Sequence, residues 1–128
     1  MTTDLNATLS VLAEQLPGCL HTSIIDSSTG MALLAVSGVD ALDAAGTDAY
    51  HNDLYRLART VLLESPVDEG IQEIVLTSGQ AQFVSMPVAQ TGYLWLVVTS
   101  RDATLGFVQA LMRKHVDGIC QGVQALVS

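Results

Sequence analysis

The chain has 128 residues, of which 49% are hydrophobic and 14% charged, and its formal net charge at pH 7 is −8. This length fits one compact domain, so we expect a single domain over residues 1–128. The acidic balance argues against nucleic acids and anionic membranes as partners, because both repel a negatively charged protein. The apolar composition leaves two explanations open: a core rich in small apolar residues, or apolar surface that association buries.

The cysteines, the N-terminal residues and the apolar runs indicate the cellular compartment of the protein. Cys19 and Cys120 lie far apart in sequence, so their proximity in space stays open, and they match neither a disulfide framework nor a zinc-binding CxxC pair. The first ten residues carry an acid and no basic group, which is unlike a signal peptide. The longest apolar run within residues 71–99 is 93–98, far shorter than the roughly 18 residues of a membrane-spanning helix. We expect a cytoplasmic protein that does not insert into a membrane.

The first third of the chain predicts a helix followed by a β-hairpin. Within residues 4–16 the leucines recur every three or four positions, as on one face of a helix. Cys19–Asp26 and Met31–Ser37 are of strand length, and the turn-forming residues between them end in Gly30. Residues 38–46 are small and polar, which predicts a loop with room for a helical turn.

The strongest helix signal covers residues 47–65, where two apolar stripes run side by side. The first stripe is Tyr50, Leu54, Leu57 and Val61, and the second is His51, Tyr55, Ala58 and Leu62. Together they form an apolar arc wider than a contact with one sheet requires. The second stripe therefore either widens the contact inside the monomer or forms a surface for a partner subunit.

The second half of the chain predicts a three-stranded meander and a long terminal helix. The strands 71–78, 81–88 and 93–99 are separated by turns that contain glycine. Residues 102–126 carry apolar side chains at helical spacing. The order is thus helix, strand, strand, helix, strand, strand, strand, helix. The expected fold class is α+β, a three-layer α/β/α sandwich with a five-stranded antiparallel sheet.

The sequence contains no recognisable catalytic or cofactor-binding constellation. The histidines His21, His51 and His115 show no metal-ligand spacing, and no serine lies in a GxSxG context. The glycines match neither GxGxxG nor the P-loop pattern that holds nucleotide phosphates. The acidic pair at positions 68 and 69 is best explained as a solvated loop. We expect no enzyme activity, no cofactor and no metal site.

Three short motifs occur in a fixed order along the chain. Residues 16–26 read LPGCLHTSIID and precede TGM at 29–31, MPV at 86–88 precedes YLWLVV at 93–98, and residues 102–106 read DATLG. In order and spacing these motifs resemble the Roadblock/LC7 family, over nearly the whole chain. The resemblance implies a profilin-like fold that has no catalytic site of its own and acts as a dimeric scaffold.

The resemblance also implies where two copies would meet. The family pairs its third strand across a two-fold axis and places its second helices side by side. In this chain that strand is residues 71–78 and that helix is residues 47–65. The implied dimer interface consists of His51, Tyr55, Arg59, Leu62, Ile71, Glu73 and Val75. This pairing would also cover a charge-poor strand edge, which is otherwise an aggregation hazard.

The function that the resemblance implies is a non-catalytic, homodimeric regulator of a small Ras-like GTPase. Such a partner can accelerate hydrolysis by ordering the GTPase's own residues. The alternative is a nucleotide-independent scaffold or adaptor subunit of a larger complex. A third hypothesis is a small-ligand sensor with a pocket lined by Phe83, Met86 and Trp95, although core packing also explains these side chains.

Overall fold

A computed structural model of the chain describes residues 4–38, 43–66 and 70–127. The helices are α1 (Leu5–Gln15), α2 (Ala44–Leu63) and α3 (Leu105–Val127), and the strands are β1 (Cys19–Asp26), β2 (Met31–Ser37), β3 (Ile74–Thr77), β4 (Ala81–Val88) and β5 (Tyr93–Ser100). The predicted order of elements and the α+β class are confirmed. Within the described ranges, none of the helices combines the length and the apolar character that a bilayer crossing requires.

The five strands form one antiparallel sheet in the order β2-β1-β5-β4-β3. Strands β1, β5 and β4 lie inside the sheet, while β2 and β3 are its two edges. Pro87 of β4 pairs with Leu94 of β5, but β3 pairs with β4 only as far as Ser85. The proline therefore sits where one side of its strand has no ladder partner, so its missing N–H costs no sheet hydrogen bond.

The helices cover both faces of the sheet. On one face, α1 and α3 enclose the larger core, which includes Leu9, Trp95 and Met112, all fully buried. On the other face, Tyr55 of α2 packs against a smaller cluster that includes Leu96. The predicted three-layer sandwich is confirmed, and α2 is the single described helix on its face.

Two element boundaries differ from the sequence-based prediction. Helix α2 begins at Ala44 rather than at residue 47, because the Asp43 side chain caps it by accepting a hydrogen bond from the backbone N–H of Gly46. Part of the predicted loop 38–46 thus belongs to the helix, and residues 39–42 lie outside the described residues. Strand β3 is shorter than predicted, because residues 71–73 make no ladder with β4.

Candidate interaction surface on helix α2 and strand β3

Helix α2 carries a stripe of large apolar side chains that face solvent. Tyr50, Leu57 and Val61 are 76%, 63% and 61% exposed, and Leu54 between them is also exposed. These residues are spaced by four, three and four positions, so they share one face of the helix. Solvent exposure of a whole apolar stripe is typical of a surface that a partner covers.

The stripe continues onto the edge strand β3. An apolar groove of about 490 Å³ separates Leu57 and Val61 of α2 from Ile74, the first residue of β3, and from Ile71, which precedes the strand. A second depression of about 270 Å³ connects Tyr50 and Leu54 with β3 and β4. The helix and the strand therefore present one continuous surface. We call it the α2–β3 surface, and it comprises Tyr50, Leu54, Leu57, Val61 and Leu76.

The second stripe of α2 lies against the sheet. His51 is only 5% exposed, and its Nε2 lies 2.6 Å from Oγ of Ser85 on β4. Tyr55 and Leu62 are half-buried on the same side of the helix. These three residues therefore widen the contact between α2 and the sheet inside the monomer. The outward-facing residues are those of the first stripe.

Arg59 and Glu73 do not lie on the exposed stripe of α2. The Arg59 guanidinium sits 5.9 Å from the centre of the Tyr55 ring, so it is on the sheet side of α2 and away from the exposed stripe. Glu73 accepts a hydrogen bond from Gln109 at 2.6 Å and contacts Arg113 at 3.2 Å, which ties it to α3 on the opposite face. Of the seven implied interface residues, Ile71 lines the groove and Val75 is exposed on β3.

A buried polar network holds the N-terminal half of α2 on the sheet. Asp48 Oδ1 accepts a hydrogen bond from Ser23 Oγ at 2.7 Å and lies 2.9 Å from His21 Nε2. One turn later, His51 contacts Ser85, and burial lowers the pKa of His51 while the Asp48 charge opposes that shift. The five side chains are all buried. Sequence reasoning missed this network, although the two-residue spacing of His21 and Ser23 places them on one face of β1.

This network lacks the geometry of a nucleophilic relay. The Asp48 carboxylate contacts both His21 and Ser23, so the histidine does not stand between the acid and the hydroxyl. Ser23 and Ser85 are fully buried, which leaves no hydroxyl open to a substrate. In the part of the chain that the structure describes, no group of three or more His, Cys, Asp or Glu side chains is placed to hold a metal ion.

The side chains proposed for a sensor pocket do not share a cavity. Met86 and Trp95 are buried in the core beneath α1 and α3. Phe83 packs on the opposite face of the sheet, beside Tyr55. The pocket predicted from these three residues was therefore wrong. Successive side chains of a strand alternate between the two faces of the sheet, so Phe83 and Met86, three positions apart on β4, point to opposite faces.

The fold matches those of solved Roadblock/LC7 structures. A Roadblock/LC7 domain from Streptomyces avermitilis superimposes with a TM-score of 0.79 at 18% identity, over 91% of this chain and 95% of that one. Myxococcus xanthus MglB superimposes with a TM-score of 0.82 at 12% identity, over 96% of this chain and 97% of that one. A further structure, described as MglB with a tetrameric arrangement, has a TM-score of 0.75 at 14% identity, over 98% of this chain and 94% of that one.

At the level of sequence, no protein-family model matches the chain, and no curated protein matches it. The likeness is therefore one of three-dimensional structure, and it covers most of the chain in each of the three comparisons. The protein has the Roadblock/LC7 fold, as its sequence motifs predicted.

Proposed function

We propose that this protein is a non-catalytic regulator of a small Ras-like GTPase and that it works as a homodimer. The observation that carries the proposal is the α2–β3 surface, an exposed apolar face on a Roadblock/LC7 fold. The sequence resemblance to this family implies a dimeric partner of small GTPases. The described residues offer a surface for such a role and no accessible nucleophilic relay.

The edge strand and its neighbouring helix support the proposed dimer. Strand β3 has only four residues, none of them charged, and its Val75 and Leu76 side chains are exposed. An uncharged, unpaired strand edge favours pairing with another strand. If two copies of β3 pair antiparallel about a two-fold axis, the exposed stripes of the two α2 helices come side by side. The interface would then bury Tyr50, Leu57 and Val61.

The charge of the chain suits a basic partner surface. The net charge is −8. A negatively charged protein favours association with a basic patch on its partner, and the attraction also speeds the encounter. On this proposal the dimer binds the active form of the GTPase and orders the residues that position the attacking water.

The test uses purified small Ras-like GTPases encoded in the source genome. Each is loaded with GDP or with a non-hydrolysable GTP analogue, and its binding to the immobilised protein is measured. Binding that requires the analogue supports the proposal, and hydrolysis assays would then establish whether the effect is activation. Equal binding of both forms would instead favour the scaffold alternative. No binding by any of these GTPases would overturn the proposed function.

A further inference from the structure

An ionisable side chain, His51, lines the depression that connects α2 with β3 and β4. The depression has a volume of about 270 Å³, and its other lining residues are Thr47, Tyr50, Leu54, Leu76 and Phe83. Three of these, Tyr50, Leu54 and Leu76, belong to the α2–β3 surface. The His51 imidazole is only 5% exposed in the monomer, and it meets water where it lines the depression. A second copy seated on the α2–β3 surface would displace this water.

The imidazole of His51 is also held from inside the monomer. Its Nε2 lies 2.6 Å from Oγ of Ser85 on β4, so the ring sits between the sheet and the depression. Burial lowers the pKa of His51, and the charge of Asp48 opposes that shift. The neutral imidazole is therefore the form that burial favours, while the protonated form depends on Asp48 and on the water in the depression.

The charged groups around His51 come from α2 itself and from β1. Asp48 lies one turn before His51, and His21 of β1 lies 2.9 Å from the Asp48 carboxylate. Strands β2, β3, β4 and β5 contain no Asp, Glu, Lys, Arg or His. In a dimer, α2 of the second copy would add its Tyr50 phenol and the exposed Asp53 carboxylate beside the stripe. Asp48 and His21 are already buried in the monomer, so the main change at His51 on association is the loss of water.

We propose that the α2–β3 surface binds a second copy of this chain more tightly when His51 is neutral than when it is protonated, so that mild acid dissociates the dimer. This inference rests on the proposed function, because it concerns the regulation of the same interface. The depression hydrates a protonated ring in the monomer, whereas apolar side chains replace that water in the dimer. Protonation therefore favours the monomer, and each dimer contains two such histidines.

The overall charge of the chain predicts the opposite trend. Two copies with a net charge of −8 repel each other, and protonation of histidines makes each copy less negative. On this ground alone, acid would tighten the dimer. Carboxylates ordinarily titrate near about pH 4, so they contribute little between about pH 7.5 and about pH 5.5. The direction of the pH dependence thus distinguishes the effect of His51 from general repulsion.

The test is sedimentation velocity of the 128-residue protein from about pH 7.5 to about pH 5.5 at constant ionic strength. A concentration series at each pH yields the Kd of the dimer. We expect this Kd to rise at least about ten-fold over the range, since two His51 side chains take up protons for each dimer that dissociates. Far-UV circular dichroism at each pH establishes that the subunits stay folded, which separates dissociation from unfolding.

Two matched variants assign the effect to His51. His51→Gln keeps a polar group opposite Ser85 but takes up no proton, so its dimer should no longer weaken with acid. His115→Gln removes a half-buried histidine of α3, on the opposite face of the sheet, and should keep the wild-type pH dependence. If His51→Gln fails to fold, Asp48→Asn serves instead. It removes the charge that favours the protonated ring, so dissociation should shift to lower pH.

Two results would overturn this inference and leave the proposed dimer standing. The first is a Kd that stays constant or falls as the pH drops. The second is acid dissociation that persists in the folded His51→Gln variant or, if that variant is unfolded, an unshifted dissociation in Asp48→Asn. A protein that is monomeric even at about pH 7.5 gives a different result, because it would overturn the homodimer and this inference together.

Discussion

His51 Nε2 lies 2.6 Å from Ser85 Oγ, and this contact joins α2 to β4 across 34 residues of sequence. Together with the Asp48 contacts to His21 and Ser23, it places polar side chains on the sheet side of α2. Meanwhile Leu57 and Val61 face solvent. In its first half this helix buries polar residues, whereas a helix usually turns apolar residues toward the core and polar residues toward water. Its exposed apolar face is available for association.

Replacing Asp48 with alanine should destabilise the monomer by about 2–3 kcal/mol, because Ser23 and His21 would keep buried polar groups without an acceptor. Asp53→Ala is the matched control, since Asp53 is exposed on the same helix and its loss should change stability by less than about 0.5 kcal/mol. Urea denaturation followed by circular dichroism measures the free energy of unfolding of both variants. Equal midpoints for the two variants would show that the network contributes nothing.

The stability of the protein should fall as the pH drops below about 6.5, in part through His51. Burial lowers the pKa of His51 in the folded state from its ordinary value of 6.5, so the unfolded chain takes up a proton before the folded chain does. The stabilisation is fully present above pH 6.5 and is lost as the pH falls through the folded-state pKa. In His51→Gln this part of the pH dependence should disappear. An unaltered slope in that variant, measured by denaturation at several pH values, would argue against the assignment.

Leu57→Glu should dissociate the proposed dimer, because it places a charge in the centre of the α2–β3 surface where an apolar contact would form. Thr60→Glu adds the same charge to an exposed position of α2 outside that surface and should leave the association intact. Analytical ultracentrifugation distinguishes the two states. If the Leu57→Glu variant still sediments as a dimer, this interface is excluded.

Two glycines of α3 should respond differently to alanine. A Cβ at Gly118 would meet no atom within 4 Å, so Gly118→Ala should stabilise the helix by up to about 1 kcal/mol through propensity. A Cβ at Gly122 would come within 3.0 Å of the Leu5 side chain on α1, so crowding should offset the same gain. Thermal unfolding should therefore rank Gly118→Ala above Gly122→Ala, and the reverse order would contradict this packing.

Much of the fold was predictable from local sequence. The order of helices and strands follows from apolar spacing and from turn residues such as Gly30 and Gly92, both of which have a positive φ. The start of α2 was missed because Thr47 and Asp43 are both good caps, and local preference does not choose between them. The three-layer arrangement was also predictable, since a charge-poor sheet must be covered on both faces.

The orientation of α2 was not predictable in the same way. Its two stripes have the same spacing, and periodicity alone does not say which of them faces the sheet. That choice depends on Ser23 and Ser85, which lie on strands far away in sequence and supply hydrogen-bond partners for Asp48 and His51. Local sequence thus specifies which segments become helices and strands. Which face of α2 is buried depends on tertiary contacts, because a buried polar group is stable only where distant residues supply its hydrogen-bond partners.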